Sequence, residues 1–162
     1  MSRSRSSLTP VIVGIGAALG VAAIGSTMTD LGPWYRGLQQ PTWAPPDWAF
    51  PVGWTTVYVF TVFAGVKAWR SAFGARERTR IIGLFALNAF LNVLWSLLFF
   101  RLHRPDWAFV EVVFFWVSII LLLVIAVQRS PLSRFLLLPY LGWVSFASVL
   151  NLAVVRLNPP FV

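Results

Sequence analysis

Trp107-Ala108-Phe109-Val110-Glu111-Val112-Val113-Phe114-Phe115-Trp116-Val117-Ser118-Ile119-Ile120-Leu121-Leu122-Leu123-Val124-Ile125-Ala126-Val127 contains one charged side chain, Glu111. Wound as an α-helix at 1.5 Å per residue, such a run is about 31 Å long, the thickness of a bilayer's hydrocarbon core. Stretches of the same kind lie at about 10–29, 50–69, 81–100 and 135–155. With 107–127 they predict an all-α integral membrane bundle of five transmembrane helices over 10–155. A basic tail, 1–9, precedes it and a short tail, 156–162, follows.

Composition agrees. The 162 residues are 58% apolar and 11% charged, far below the roughly 25% charged of a soluble domain, and mean hydropathy is +0.76. The net charge of +8 does not point to nucleic acid, because the Arg residues fall in short gaps between apolar runs rather than on a continuous basic face. Arg3 and Arg5 before the run Val11–Met28 resemble a signal peptide. That run is long for a signal core, so it reads as a first spanning helix.

Counting Lys and Arg on alternate sides gives an orientation. Arg3, Arg5, Lys67, Arg70, Arg76, Arg78, Arg80, Arg129 and Arg134 fall on one side; Arg36, Arg101, Arg104 and Arg156 fall on the other. The positive-inside rule predicts a cytoplasmic N-terminus in a bacterial-type cell membrane, with the first connection and the C-terminus opposite. That connection, Asp30–Ala49, is the one long enough to act as a lid.

Local signals refine the bundle. Pro46-Asp47-Trp48-Ala49-Phe50 recurs as Pro105-Asp106-Trp107-Ala108-Phe109 before the second and fourth spans, predicting an Asp that accepts from helix-start N–H groups beside an interfacial Trp. Gly16-x-x-x-Gly20 in the first span permits close helix approach, within the chain or between copies. Pro139, early in the fifth span, predicts a kink before Trp143. Glu111, an acid inside a span, is near enough to the helix start to reach the interface or pair with Arg101 or Arg104, a structural role in preference to a functional one.

Conventional chemistry is missing. No Cys is present, His103 is a lone loop histidine, and no P-loop, nucleotide-binding glycine pattern, paired carboxylates or Ser/His/Asp set can be drawn. Neither a metal site nor a required cofactor is expected. The aromatics are more informative. Trp34, Trp43, Trp48, Trp69 and Trp107 fall at helix ends, as an interfacial belt would. Trp54, Trp95, Trp116 and Trp143 lie deep, where an indole N–H without a partner is costly and the ring tends to face protein or ligand. Helical spacing groups Asn88, Asn92, Trp95 and Ser96 in the third span, Tyr140, Trp143, Ala147 and Asn151 in the fifth, and Trp54 with Tyr58 in the second. These stripes either hydrogen-bond the helices together or wall a cavity for a flat apolar ligand, with Ala147 leaving room beside Trp143.

The string Trp34-Tyr35-Arg36-Gly37-Leu38-Gln39-Gln40-Pro41-Thr42-Trp43-Ala44-Pro45-Pro46-Asp47-Trp48-Ala49-Phe50-Pro51-Val52-Gly53-Trp54-Thr55 resembles the first loop and second helix of the TspO/MBR family, the tryptophan-rich sensory or translocator proteins. Asn92-Val93-Leu94-Trp95 with Phe99-Phe100, and Pro139-Tyr140-Leu141-Gly142-Trp143 with Phe146-Ala147 and Leu150-Asn151, agree in order and spacing. The resemblance implies a five-helix bundle, often a homodimer, whose pocket opens towards the first loop and takes porphyrins, protoporphyrin IX or haem among them, and benzodiazepine-type drugs. By motif match its ligand-binding residues are Tyr35, Trp54, Tyr58, Asn92, Trp95, Trp143 and Ala147.

The function so implied is a membrane receptor or sensor regulating porphyrin metabolism or stress response, with porphyrin and membrane lipid as partners. Two alternatives stand beside it. One is light- and oxygen-dependent degradation of protoporphyrin IX at Trp54 and Trp143, which needs no general acid or base. The other is a porphyrin or sterol transporter, although no inverted repeat or pair of broken helices is visible. Two positions depart from the family. Leu152 stands where animal members carry the Tyr of a cholesterol motif, so strict cholesterol recognition is not expected, although a reversed pattern runs Arg134, Tyr140, Val144. Gln40 stands where relatives frequently have Lys, which weakens loop closure or contact with a porphyrin carboxylate.

Overall fold

Helix starts are written into the chain. Pro10, Pro33, Pro105 and Pro131 each occupy a first turn, where proline's missing N–H has no intrahelical partner to lose. The computed structural model describes residues 8–128, 130–158 and 161, residue 126 by its backbone alone. Arg3, Arg5, Arg129 and Pro159-Pro160 lie outside the described residues. The elements are α1 (Thr9–Met28), α2 (Pro33–Gly37), α3 (Ala49–Ser71), α4 (Gly74–Ser96), a π-helical turn (Leu97–Arg101), α5 (Pro105–Leu121), a second π turn (Leu122–Ala126) and α6 (Pro131–Leu157). Five are long and apolar enough to cross a membrane; α2 is a single turn in the first loop.

Lipid, not water, must cover the outside. Phe63, Phe90, Phe114 and Phe135 are 59–68% exposed, and apolar area left in water costs about 25 cal/mol per Å². The chain is an integral, multi-pass membrane protein.

The helices outrun the apolar segments that predict them. α4 begins at Gly74 rather than near 81, so the expected connection 70–80 shrinks to Ala72 and Phe73. Hydropathy is blind to this extension because its residues are polar. Its start is set by Gly74 at φ +77°, a value natural to glycine, and by Glu77, whose Oε2 accepts the Phe73 N–H at 2.7 Å. α6 likewise starts at Pro131, not 135, where the Ser130 hydroxyl accepts from the Ser133 N–H and hydroxyl.

Around the bundle the order is α1, α3, α6, α5, α4 and back to α1. The dense core, with Ala64, Phe115, Ile119, Leu122, Leu137 and Val144 almost fully buried, comes from the halves of α3, α4, α5 and α6 nearest the α3–α4 turn. Ala64 and Ala68 let α3 approach closely there. At the loop end the helices draw apart and the core thins to Phe99, Ala108 and Val154. No residue of α1 is buried. A Cβ at Gly14 would touch Val62 and Val66, whereas Gly16 and Gly20 have nothing within 4 Å, so the Gly16-x-x-x-Gly20 spacing makes no close approach within the described chain.

Candidate functional site

The floor of the loop-end space is polar and hydrogen-bonded from helix to helix. The Tyr140 hydroxyl donates to Asn88 Oδ1 at 2.9 Å, and Asn88 Nδ2 donates to Ser118 Oγ at 2.8 Å, joining α6, α4 and α5. One turn up α4, Asn92 Oδ1 accepts from the Tyr58 hydroxyl of α3 at 3.1 Å. Higher still, Trp95 Nε1 donates to Asn151 Oδ1 at 3.2 Å, while Asn151 Nδ2 donates to the Pro105 carbonyl at 2.8 Å. Interhelical hydrogen bonds of this kind are each worth roughly 0.6 kcal/mol, up to about 2.

Above that floor stands a cavity of about 520 Å³, within the range of drug-sized ligand sites. α3 supplies Trp54 and Tyr58, one turn apart and stacked with centroids 5.7 Å apart. From α6 comes Trp143, edge-on to Trp54 at 6.3 Å, with Ala147 one turn on. α4 gives Asn92 and Trp95, the latter stacked on Phe99 at 5.2 Å. The π turn after α4 keeps both Phe99 and Phe100 on the wall, and π turns recur at functional sites for this kind of re-aiming. α2 brings Tyr35 over the mouth, its ring 5.5 Å from Phe100. Burial, and then the charge of Asp47, raise the Tyr35 phenol pKa above its ordinary value.

Tyr35, Trp54, Tyr58, Asn92, Trp95, Trp143 and Ala147 thus line one cavity. The two alternatives left open by spacing divide the polar stripes: Asn88 and Tyr140 bond helix to helix beneath the cavity, whereas Asn92 and Asn151 do so on its wall. Trp143 Nε1 and Asn92 Nδ2 are buried with no hydrogen-bond partner among the described residues. Buried donors left unmade are costly, and these two belong to residues that face the space.

A model of the TspO/MBR family matches residues 10–157. The chain belongs to the TspO/MBR family. It is 38% identical to the tryptophan-rich protein TspO of Chlorobaculum tepidum over 147 residues, 90% of this chain and 93% of that one. Against protein CrtK of Rhodobacter capsulatus it is 34% identical, covering 94% and 95% of the two chains. It is also 34% identical to the translocator protein of Homo sapiens over 126 residues, 77% of this chain and 75% of that one.

Several residues of this TspO/MBR chain sit elsewhere than spacing predicts. Trp116 is not on the cavity: it lies over a third exposed, and its Nε1 donates to Ser145 Oγ at 2.8 Å, so a hydroxyl one helix away satisfies the indole at the lipid face. Glu111 pairs with neither Arg101 nor Arg104. It is buried with both oxygens unpartnered among the described residues, while Arg104 is held by Asp106 at 2.6 and 2.9 Å. The two Pro-Asp-Trp segments differ as well: Asp106 binds Arg104, whereas α3 starts at Ala49, after Trp48 and with no side-chain cap, and Asp47 faces the cavity mouth. Tyr140 and Val144 of the reversed sterol pattern are buried in the bundle, out of reach of a sterol in the bilayer.

Two parts of the site escape sequence reasoning. One wall is α1, through Ala22, Gly25, Ser26 and Thr29, whose spacing of 3, 1 and 3 is a visible signal. The other is Gly53, on which Trp143 rests; no single-sequence pattern marks that contact.

Proposed function

We propose that this protein is a membrane receptor or sensor that binds a tetrapyrrole, with protoporphyrin IX as the probe ligand, in the cavity closed by α2. One observation carries this reading: a 520 Å³ space walled by Trp54, Tyr58, Trp95 and Trp143. A flat conjugated ring would stack on those faces. No Lys, Arg or His among the described residues lines the cavity, so porphyrin carboxylates would lie towards the mouth. The name of a Cereibacter sphaeroides relative, tryptophan-rich sensory protein, 28% identical over 142 residues, fits a sensing role. By the positive-inside rule the mouth would face away from the cytoplasm. Open space beside Gly16 and Gly20 favours a homodimer.

The test is quenching of tryptophan fluorescence by protoporphyrin IX in detergent, with wild type and Trp143→Phe. Saturation at one ligand per chain, weakened by the substitution, is expected. A folded protein that shows no saturable quenching would sink the reading.

The closeness of Trp54 and Trp143 favours a second reading, light- and oxygen-dependent breakdown of the bound porphyrin. Illumination of the complex separates the two: loss of porphyrin absorbance that needs light, oxygen and Trp143 marks turnover, and an unchanged spectrum marks binding alone.

A further inference from the structure

At the opposite end of the bundle a second concavity, of about 280 Å³, is lined by Phe73, Arg76, Glu77, Arg80 and Gln128. The extension of α4 below Ile81 creates it. Arg76, Glu77 and Arg80 follow at offsets of 1 and 3, one face of α4, Phe73 stands extended just before the helix, and Gln128, just after the second π turn, supplies the facing wall. Glu77 is engaged by the Phe73 N–H. Arg76 and Arg80 have no ion pair or hydrogen-bond partner among the described residues.

Depth and charge say what could fill it. The polar start of α4, 74–80, projects about 9 Å beyond the apolar run that begins at Ile81, which spans the headgroup layer on one side of a bilayer. Phe73 is 76% exposed at the rim. Trp69, with the Arg78 guanidinium 5.2 Å from its ring centroid, marks the same interfacial level. Among the described residues this end carries Lys67, Arg70, Arg76, Arg78, Arg80 and Arg134 against Glu77 alone. The loop end carries Arg36, Arg101, Arg104 and Arg156 against Asp30, Asp47 and Asp106. Topology accounts for the excess of cations but not for two guanidinium groups one turn apart in one hollow, without a partner among the described residues, at the level that the Ile81 boundary gives to the headgroup phosphates.

We propose that this concavity binds the phosphate of an anionic phospholipid of the adjoining leaflet. Arg76 and Arg80 donate to its oxygens, Gln128 donates from the facing wall, and Phe73 meets the upper acyl chain. A zwitterionic lipid fits less well, because its ammonium would enter a field already positive. The site is independent of the porphyrin reading.

Native mass spectrometry of the whole protein released from micelles holding equal phosphatidylglycerol and phosphatidylcholine tests this, beside thermal melting with each lipid. One phosphatidylglycerol retained in preference is expected, with a higher melting temperature. The double variant R76Q/R80Q is expected to lose that retention about tenfold or more, with its protoporphyrin quenching unchanged. The matched variant K67Q/R134Q, which removes the same charge at the same end, is expected to keep it. Equal retention of both lipids, equal loss in the two double variants, or equal protection by inorganic phosphate would each overturn the proposal. Should R76Q/R80Q not fold, Gln128→Leu takes its place with a severalfold loss expected, and retention at the wild-type level overturns the proposal equally.

Discussion

Trp143 rests on the backbone of Gly53: a Cβ built there would stand against Cη2 and Cζ2 of the indole, far inside van der Waals contact. The orientation of the cavity's central aromatic therefore depends on a missing methyl group. Gly53→Ala must push the ring away, at about 1–3 kcal/mol for overpacking, while the helix itself gains about 1 kcal/mol of propensity. We expect protoporphyrin affinity to fall about tenfold with little change in melting temperature. Gly142→Ala, which meets nothing within 4 Å, should leave both unchanged. A Gly53→Ala protein that quenches like wild type would show that the indole's position does not govern binding.

Asp47 is the one charged residue on the cavity wall among the described residues. A porphyrin with its carboxylates at the mouth is repelled by it, and at an effective dielectric constant between protein and water that repulsion is about 0.5–1 kcal/mol. Asp47→Asn should bind protoporphyrin IX a few-fold more tightly, with the gain shrinking at high salt and absent for the neutral dimethyl ester. An equal gain for the ester would mean that the carboxylates lie elsewhere.

Tyr35 makes closure by α2 sensitive to alkali. Its phenol pKa is raised above 10.0, by burial first and by Asp47 second, so the docked loop prefers the neutral phenol. Docking is then fully present below the ordinary pKa and is lost as pH rises through the raised one. Ligand dissociation, followed by stopped flow, should accelerate above pH 10 in wild type and not in Tyr35→Phe. The same acceleration in both proteins would assign it to another group.

How much is legible in the sequence follows from which signals repeat along the chain. Five apolar runs specify five helices, and pairs such as Trp54 and Tyr58 or Trp143 and Ala147, one turn apart, place their side chains on shared faces by spacing alone. Polar helix is invisible to hydropathy, which hides the start of α4 and with it the alignment of Arg76 with Arg80. Trp116 sits as deep in sequence as Trp95, and only its partner, Ser145, decides that it faces outward. The Gly53–Trp143 contact joins two helices across 90 positions of sequence, a distance that no local pattern bridges.

Glu111 is the sharpest case of local reasoning losing to packing. Its sequence neighbours offer Arg101 and Arg104, yet Arg104 is taken by Asp106 and turns its guanidinium over Trp107, 4.2 Å from the ring centroid. Glu111 is left 6% exposed, with neither carboxyl oxygen partnered among the described residues. An uncompensated acid in a bundle is a cost, and replacing even a buried ion pair by apolar groups of similar volume is often stabilising by about 1–4 kcal/mol. Glu111→Leu should raise the melting temperature in detergent, with Glu111→Gln between it and wild type. Neither should alter porphyrin quenching, since Glu111 is not on the cavity wall. A lower melting temperature for Glu111→Leu would mean that the carboxyl group holds a partner the bundle depends on.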